Sequence, residues 1–99
     1  MGIVEAQNRL IRGRVLKLLR AVDFNHLAAD VLVATLAGCG HQLNIQGLLG
    51  ILQYLVDKGY VEIRESKVEG VGPITTARIT ARGVDLIEGS IEDPGVAIV

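Results

Sequence analysis

The strongest constraint on this chain is a change of hydrophobic period at Gly59. Before it, Ile45, Leu48, Leu49, Leu52, Leu55 and Val56 recur at three- and four-residue spacing, the broad apolar face of a helix from about residue 45 to 58. Gln46, Gly47, Gly50, Gln53, Tyr54 and Asp57 fall on the other face. After Gly59, Val61-Glu62-Ile63-Arg64-Glu65 alternates apolar with charged residues, the pattern of a half-buried strand. Ser66 to Pro73 holds Gly70, Gly72 and Pro73 and predicts a flexible hairpin tip. Residues 74–80, rich in Thr and Ile, predict the returning strand. Thr80 is placed to cap a last helix, from Ala81 to about Glu88, that Gly89 closes.

Upstream, residues 4–22 predict a helix whose stripe is Ile11, Val15, Leu18, Leu19 and Val22. Arg9, Arg12, Lys17 and Arg20 cluster opposite, with Leu10 and Leu16 at the margins of that basic face. Asp23-Phe24-Asn25 breaks the pattern. A shorter helix is expected from about His26 to Ala37, with Leu27, Val31, Leu32 and Leu36 inward, stopped by Gly38-Cys39-Gly40. Asn44 is a good N-cap for the third helix. The order is therefore helix, helix, turn, helix, two strands, helix. That is a mainly α chain with a small β-hairpin (α+β), the winged helix-turn-helix arrangement. Residues 1–92 form this domain, and Asp93-Pro94-Gly95 turns into an apolar tail, residues 93–99 in all.

Two segments resemble the winged-helix superfamily. Leu52-Gln53-Tyr54-Leu55-Val56-Asp57-Lys58-Gly59-Tyr60-Val61 is similar to its LxxxGxV junction between third helix and first wing strand. Ile79-Thr80-Ala81-Arg82-Gly83-Val84-Asp85-Leu86 resembles the LTxxGxxL exit from the wing into the last helix. The whole chain, with Gly38-Cys39-Gly40-His41 and Asp93-Pro94-Gly95-Val96, looks most similar to a small family encoded by Mu-like phages and prophages. The resemblance implies a phage or prophage transcriptional regulator or accessory factor that binds double-stranded DNA, as a homodimer.

Composition bounds this expectation. Ninety-nine residues make one domain, and 49% hydrophobic against 21% charged residues is a globular balance. The apolar content is aliphatic, with no Trp, one Phe and two Tyr, which argues against a base-stacking platform for single strands. Net charge is -1, so the total is not that of a strongly basic nucleic-acid binder. The charge is uneven: residues 1–22 carry Arg9, Arg12, Arg14, Lys17 and Arg20 against Glu5, while Asp85, Glu88, Glu92 and Asp93 have no cation after Gly83. Cys39 is alone, which excludes an internal disulfide, and the first residues do not form a signal peptide. No apolar run approaches the roughly 18–20 residues of a membrane span, so a cytoplasmic protein is expected.

In a helix-turn-helix, residues at the start of the second helix of the pair reach base edges. Here these are Gln42, Asn44, Gln46 and Gly47, with Gly50 and Gln53 further along; carboxamides can bond adenine N6 and N7. Arg64, Lys67 and Arg78 on the hairpin would hold phosphates, balanced by Glu62, Glu65 and Glu69. An alternative is a protein-interaction module using Gly47, Gly50 and Tyr54, with Leu10, Leu16 and Val96–Val99 either self-associating or completing the core. Cys39-x-His41, with His26, is a thin start for a zinc site, and a small buried thiol beside a turn histidine is the favoured reading. No histidine pairs recognisably with a nucleophile and a carboxylate, and Gly70-Val71-Gly72-Pro73 is not a phosphate loop, so no catalysis, cofactor or small-molecule ligand is expected.

Overall fold

A computed structural model describes residues 2–99 of the chain. The elements are α1 (Ile3–Ala21), β1 (Leu27–Ala28), α2 (Ala29–Gly38), α3 (Ile45–Asp57), β2 (Val61–Val68), β3 (Gly72–Ile79) and α4 (Ala81–Ile87). The three strands form one antiparallel sheet in the order β1-β3-β2. This is the α+β winged-helix architecture, with a third, two-residue strand on the edge of the wing.

The helix stops follow from glycine. At the end of α3 the Gly59 N–H donates to the Val56 carbonyl and the Tyr60 N–H to the Leu55 carbonyl, both 2.9 Å. This closure needs a left-handed residue between them, and Gly59 has φ 81°. Gly40, at φ 89°, ends α2 in the same way, with His41 N–H reaching back to Leu36. Asn44 and Thr80 cap α3 and α4, accepting from the N–H groups of Gly47 and Gly83.

Several expectations need correction. Leu27 belongs to β1 rather than to the second helix, because its backbone pairs with Ala77 across the sheet. Val31 is 45% exposed, and Leu32 and Leu36 alone carry the buried leucine face of α2. Leu16, placed beside the basic face of the first helix, is fully buried. The reason is that α1 is covered on several sides, by α2, α3, β3 and α4, so its buried arc is wider than a single stripe. In α3, Ile45 is 42% exposed while Ile51 is buried in its stead. The hairpin tip is also shorter than expected: Ser66, Lys67 and Val68 stay in register with Ile74, Pro73 and Gly72. Backbone pairing continues there although every side chain from Glu62 to Gly70 is exposed, so no burial pattern marks it.

The core is one aliphatic cluster in which Val15, Leu16 and Leu19 of α1 meet Leu32, Leu36, Leu48, Leu52, Leu55 and Ile79. Val96 joins it from the C-terminal segment. That segment lies along α1. The Ala97 N–H donates to the Arg9 carbonyl at 3.0 Å, the Arg12 guanidinium to the Gly95 carbonyl at 3.1 Å, and the Lys17 ammonium to the Val99 carbonyl. Gly13 makes this approach possible, since a Cβ there would overlap the Ala97 carbonyl. Gly13→Ala should therefore lower stability by about 1–3 kcal/mol, the usual cost of overpacking, and speed proteolysis of the last residues. Urea denaturation and limited carboxypeptidase digestion check this; unchanged values in both would mean that the segment is not held on α1.

Candidate nucleic-acid interface

The exposed start of α3 is built by its cap. The Asn44 Oδ1 accepts the Gly47 N–H at 2.7 Å, which fixes where the helix begins and commits that oxygen to the backbone. No acidic residue sits in the first turn, so the positive end of the helix dipole is not neutralised. Leu48, Ile51, Leu52 and Leu55 face the core. At 100° per residue, the line pointing directly away from them is Gln46, Gly50, Gln53 and Asp57. Gln42, in the turn, and Gln46 and Gly47 are exposed together at the start of this line. Gln53 is also exposed, but its Nε2 donates to the Asp57 carboxylate at 2.9 Å, about two turns from the cap.

The wing cations divide by strand register. Arg64 stands opposite Thr76 and Arg78 opposite Glu62, on the sheet face turned away from the core. Lys67, opposite Pro73, lies on the face shared with Val61, Ile63 and Glu65. Arg78 is ion-paired with Glu62, so its charge is already met; the pair holds the Glu62 carboxyl below its ordinary range through the hydrogen bond and the guanidinium charge. Arg64 and Lys67 are exposed and make no ion pair among the described residues.

His26 closes the outer wing face. Its Nδ1 lies 3.2 Å from the Thr76 hydroxyl, and its buried Nε2 has no partner among the described residues. Burial holds the imidazole pKa below its ordinary value, helped by Arg64 and Arg78 and opposed by Glu62. Nothing in the local sequence marks this residue; it is positioned by pairing of β1 with β3.

The basic face of α1 is spent inside the molecule. Arg12 stacks over the Tyr54 ring at 3.7 Å while bonding Gly95. Arg14 meets the His41 imidazole, Lys17 reaches Val99, and Arg20 pairs with Asp23 at 2.8 Å and lies 3.9 Å from Glu88. Tyr54 is thereby drawn towards α1 and Gly95, away from the patch it was expected to share with Gly47 and Gly50. The three potential soft ligands are equally dispersed: Cys39 is exposed rather than buried, His41 is bonded to Arg14 and His26 lies beside Thr76. Among the described residues no three His, Cys, Asp or Glu side chains converge as metal ligands, and no helix is long and apolar enough to cross a membrane.

The pair Tyr60–Asp93 is a further feature that the sequence reading missed. The buried Tyr60 hydroxyl donates to the Asp93 carboxylate at 2.7 Å. Burial and this bond push the phenol up to about 12. Burial alone would raise the Asp93 carboxyl, but the Tyr60 hydroxyl, the Gly95 N–H, Lys58 and Arg12 together bring it below its ordinary value.

Solved structures share this fold. A protein of Thermoplasma acidophilum described as a transcriptional regulator superposes with TM-score 0.67 at 20% identity, over 85% of this chain and 76% of its own. A PadR-family transcriptional regulator from Eggerthella lenta gives TM-score 0.61 at 20% identity, over 81% of this chain and 70% of that one. Bacillus subtilis PadR, solved in complex with operator DNA, gives 0.66 at 17% identity over 92% of this chain, which spans only 52% of PadR. No family model and no curated protein matches the sequence. The winged-helix fold is thus common to this chain and to these regulators.

The environment of His26 predicts a pH response. Because the folded state binds its proton less readily than the unfolded chain, stability is complete above about pH 6.5 and falls as pH drops below it. Wild-type urea midpoints should decline from about pH 7.5 to 5.5, and His26→Gln should flatten that decline. Equal slopes in the two proteins would refute the assignment.

Proposed function

We propose that the chain is a small DNA-binding transcriptional regulator that lays the start of α3 in the major groove and its wing along the backbone. The observation that carries this reading is the exposed edge of Gln42, Gln46, Gly47 and Gly50 at a capped, uncounterbalanced helix start, in one fold with a wing bearing Arg64 and Lys67. The B. subtilis neighbour with this fold was solved on operator DNA, which supports the same use here. In this reading Gln42 and Gln46 read bases, Gly47 allows close approach, Arg64 and Lys67 hold phosphates, and Asn44 acts mainly as the cap. Gln53 and Arg78 are secondary, because each is bonded within its own element.

Two unpaired wing cations give one copy a small electrostatic footprint, so the protein acts as a homodimer on two half-sites. Ile3 and Val4, 77% and 63% exposed at the start of α1, are better candidates for self-association than Leu16 or Val96, which are buried in the chain's own core. A setting in a Mu-like phage or prophage rests on the sequence resemblance alone. The role is regulatory or accessory and non-catalytic, in the cytoplasm. The competing protein-docking reading loses its aromatic anchor, since Tyr54 is stacked under Arg12.

Fluorescence-anisotropy titrations with mixed-sequence duplexes at several salt concentrations test the proposal. Affinity should fall with salt, and Arg64→Ala or Lys67→Ala should each reduce the salt slope by about one per chain. Glu62→Gln, which releases Arg78, should tighten binding. The saturated complex should hold two chains per duplex. Absence of binding even at the lowest salt would sink the proposal.

A further inference from the structure

We infer that the exposed edge of α3 selects A·T base pairs, with Gln42 and Gln46 bonding adenine and Ile45 packing against the methyl group of thymine. The inference rests on the DNA-binding reading above and names the kind of sequence that this same surface takes.

The edge is defined first by what it lacks. Guanine shows two acceptors, N7 and O6, in the major groove and is matched by a guanidinium or ammonium. From His41 to Asp57 there is no Arg or Lys, and His41 is held by Arg14. Lys58 lies at the far end of the helix, 5.6 Å from the Tyr54 ring. Cytosine shows a donor that a carboxylate would accept. The carboxylate of α3, Asp57, is about three and a half turns from the cap and bonded to Gln53. A G·C pair set against the start of α3 therefore meets neither a cation nor an open carboxylate, the groups that match it best.

Adenine presents an acceptor and a donor side by side, and a carboxamide matches both at once. Asn44 and Gln53 have their amides committed to Gly47 and Asp57. Gln42 and Gln46 are exposed and have no hydrogen-bond partner among the described residues, so theirs are available. Gly50 follows Gln46 on the outward line, and a Cβ there would meet nothing within 4 Å. Without a side chain at that position a base edge can come close to the helix backbone.

Ile45 supplies the other half. It is the first residue of α3, 42% exposed, next to Gln46 and on the flank turned towards the wing. It lines one groove with Ala28, Val71, Pro73 and Ile74. An aliphatic side chain half-open at the start of α3 gains from apolar contact that removes it from water. In the major groove the single apolar group presented by any base is the C5-methyl of thymine. Amide for adenine and aliphatic for its partner's methyl make one consistent reader of A·T pairs.

Selection of binding sites from a random duplex pool, followed by titration of the selected site with deoxyuridine in place of single thymidines, tests this. Uracil keeps the base pair and removes only the methyl group. Selected sites should carry A·T pairs at the centre of each half-site. Each critical substitution should weaken wild-type binding about fourfold, the effect of exposing one methyl group. In Ile45→Ala the penalty should vanish, and Gln46→Ala should lose roughly tenfold in affinity with relaxed choice of adenine. Both residues are exposed, so circular dichroism melts of the variants should match wild type. Enrichment of G·C pairs at those positions, or a uracil penalty that persists in Ile45→Ala, would overturn the inference while leaving DNA binding intact. Enrichment of no sequence at all would likewise overturn the inference while leaving non-specific DNA binding intact, whereas absence of any duplex binding at the lowest salt would remove the DNA-binding reading, and this inference with it.

Discussion

Tyr60 is the point through which the rest of the molecule is joined. Its N–H completes the end of α3 at Leu55, and its carbonyl accepts the Thr80 N–H where β3 gives way to α4. The same carbonyl is so close to Gly83 that a Cβ there would collide with it. Its hydroxyl reaches Asp93, and the Arg82 guanidinium lies 5.4 Å from its ring. One buried residue thus ties α3, the wing, the last helix and the C-terminal segment together. The angle between α3 and the hairpin, on which any shared contact with a duplex depends, is set at this junction.

That junction also governs where the charges go. Asp93, held by Tyr60, starts the segment that runs back over Gly13 and engages Arg12 and Lys17. Arg12, Arg14, Lys17 and Arg20 of α1 have defined partners inside the molecule. The most cation-rich helix of the chain is therefore an internal fastening. Open cationic surface is left chiefly on the wing, at Arg64 and Lys67, and uncharged polar surface at the start of α3.

Much of the fold could be read from the sequence because local chemistry and tertiary structure agree there. The glycine stops, the Asn44 and Thr80 caps and the switch of period after Gly59 are each local signals. What escaped were features created by distant parts of the chain. β1 exists because β3 offers it an edge, and two residues carry no period. Leu16 is buried because α1 is wrapped from several sides. The C-terminal segment looked like a free apolar tail because its partners, Arg9, Arg12 and Gly13, lie more than eighty residues away. For the candidate site, the exposure of Gln42, Gln46 and Gly47 was legible, whereas the commitments of Asn44, Gln53, Tyr54 and Arg78 were not. Each of those depends on a specific bond that composition cannot show.

The central claim is that nucleic acid meets the α3–wing face and not the basic helix. Amide chemical-shift mapping of the labelled protein with a short duplex at low salt tests it most directly. Perturbations should concentrate at residues 42–50 and 64–72, with residues 9–20 nearly unmoved. Perturbations centred on Arg9, Arg12, Lys17 and Arg20 would contradict it.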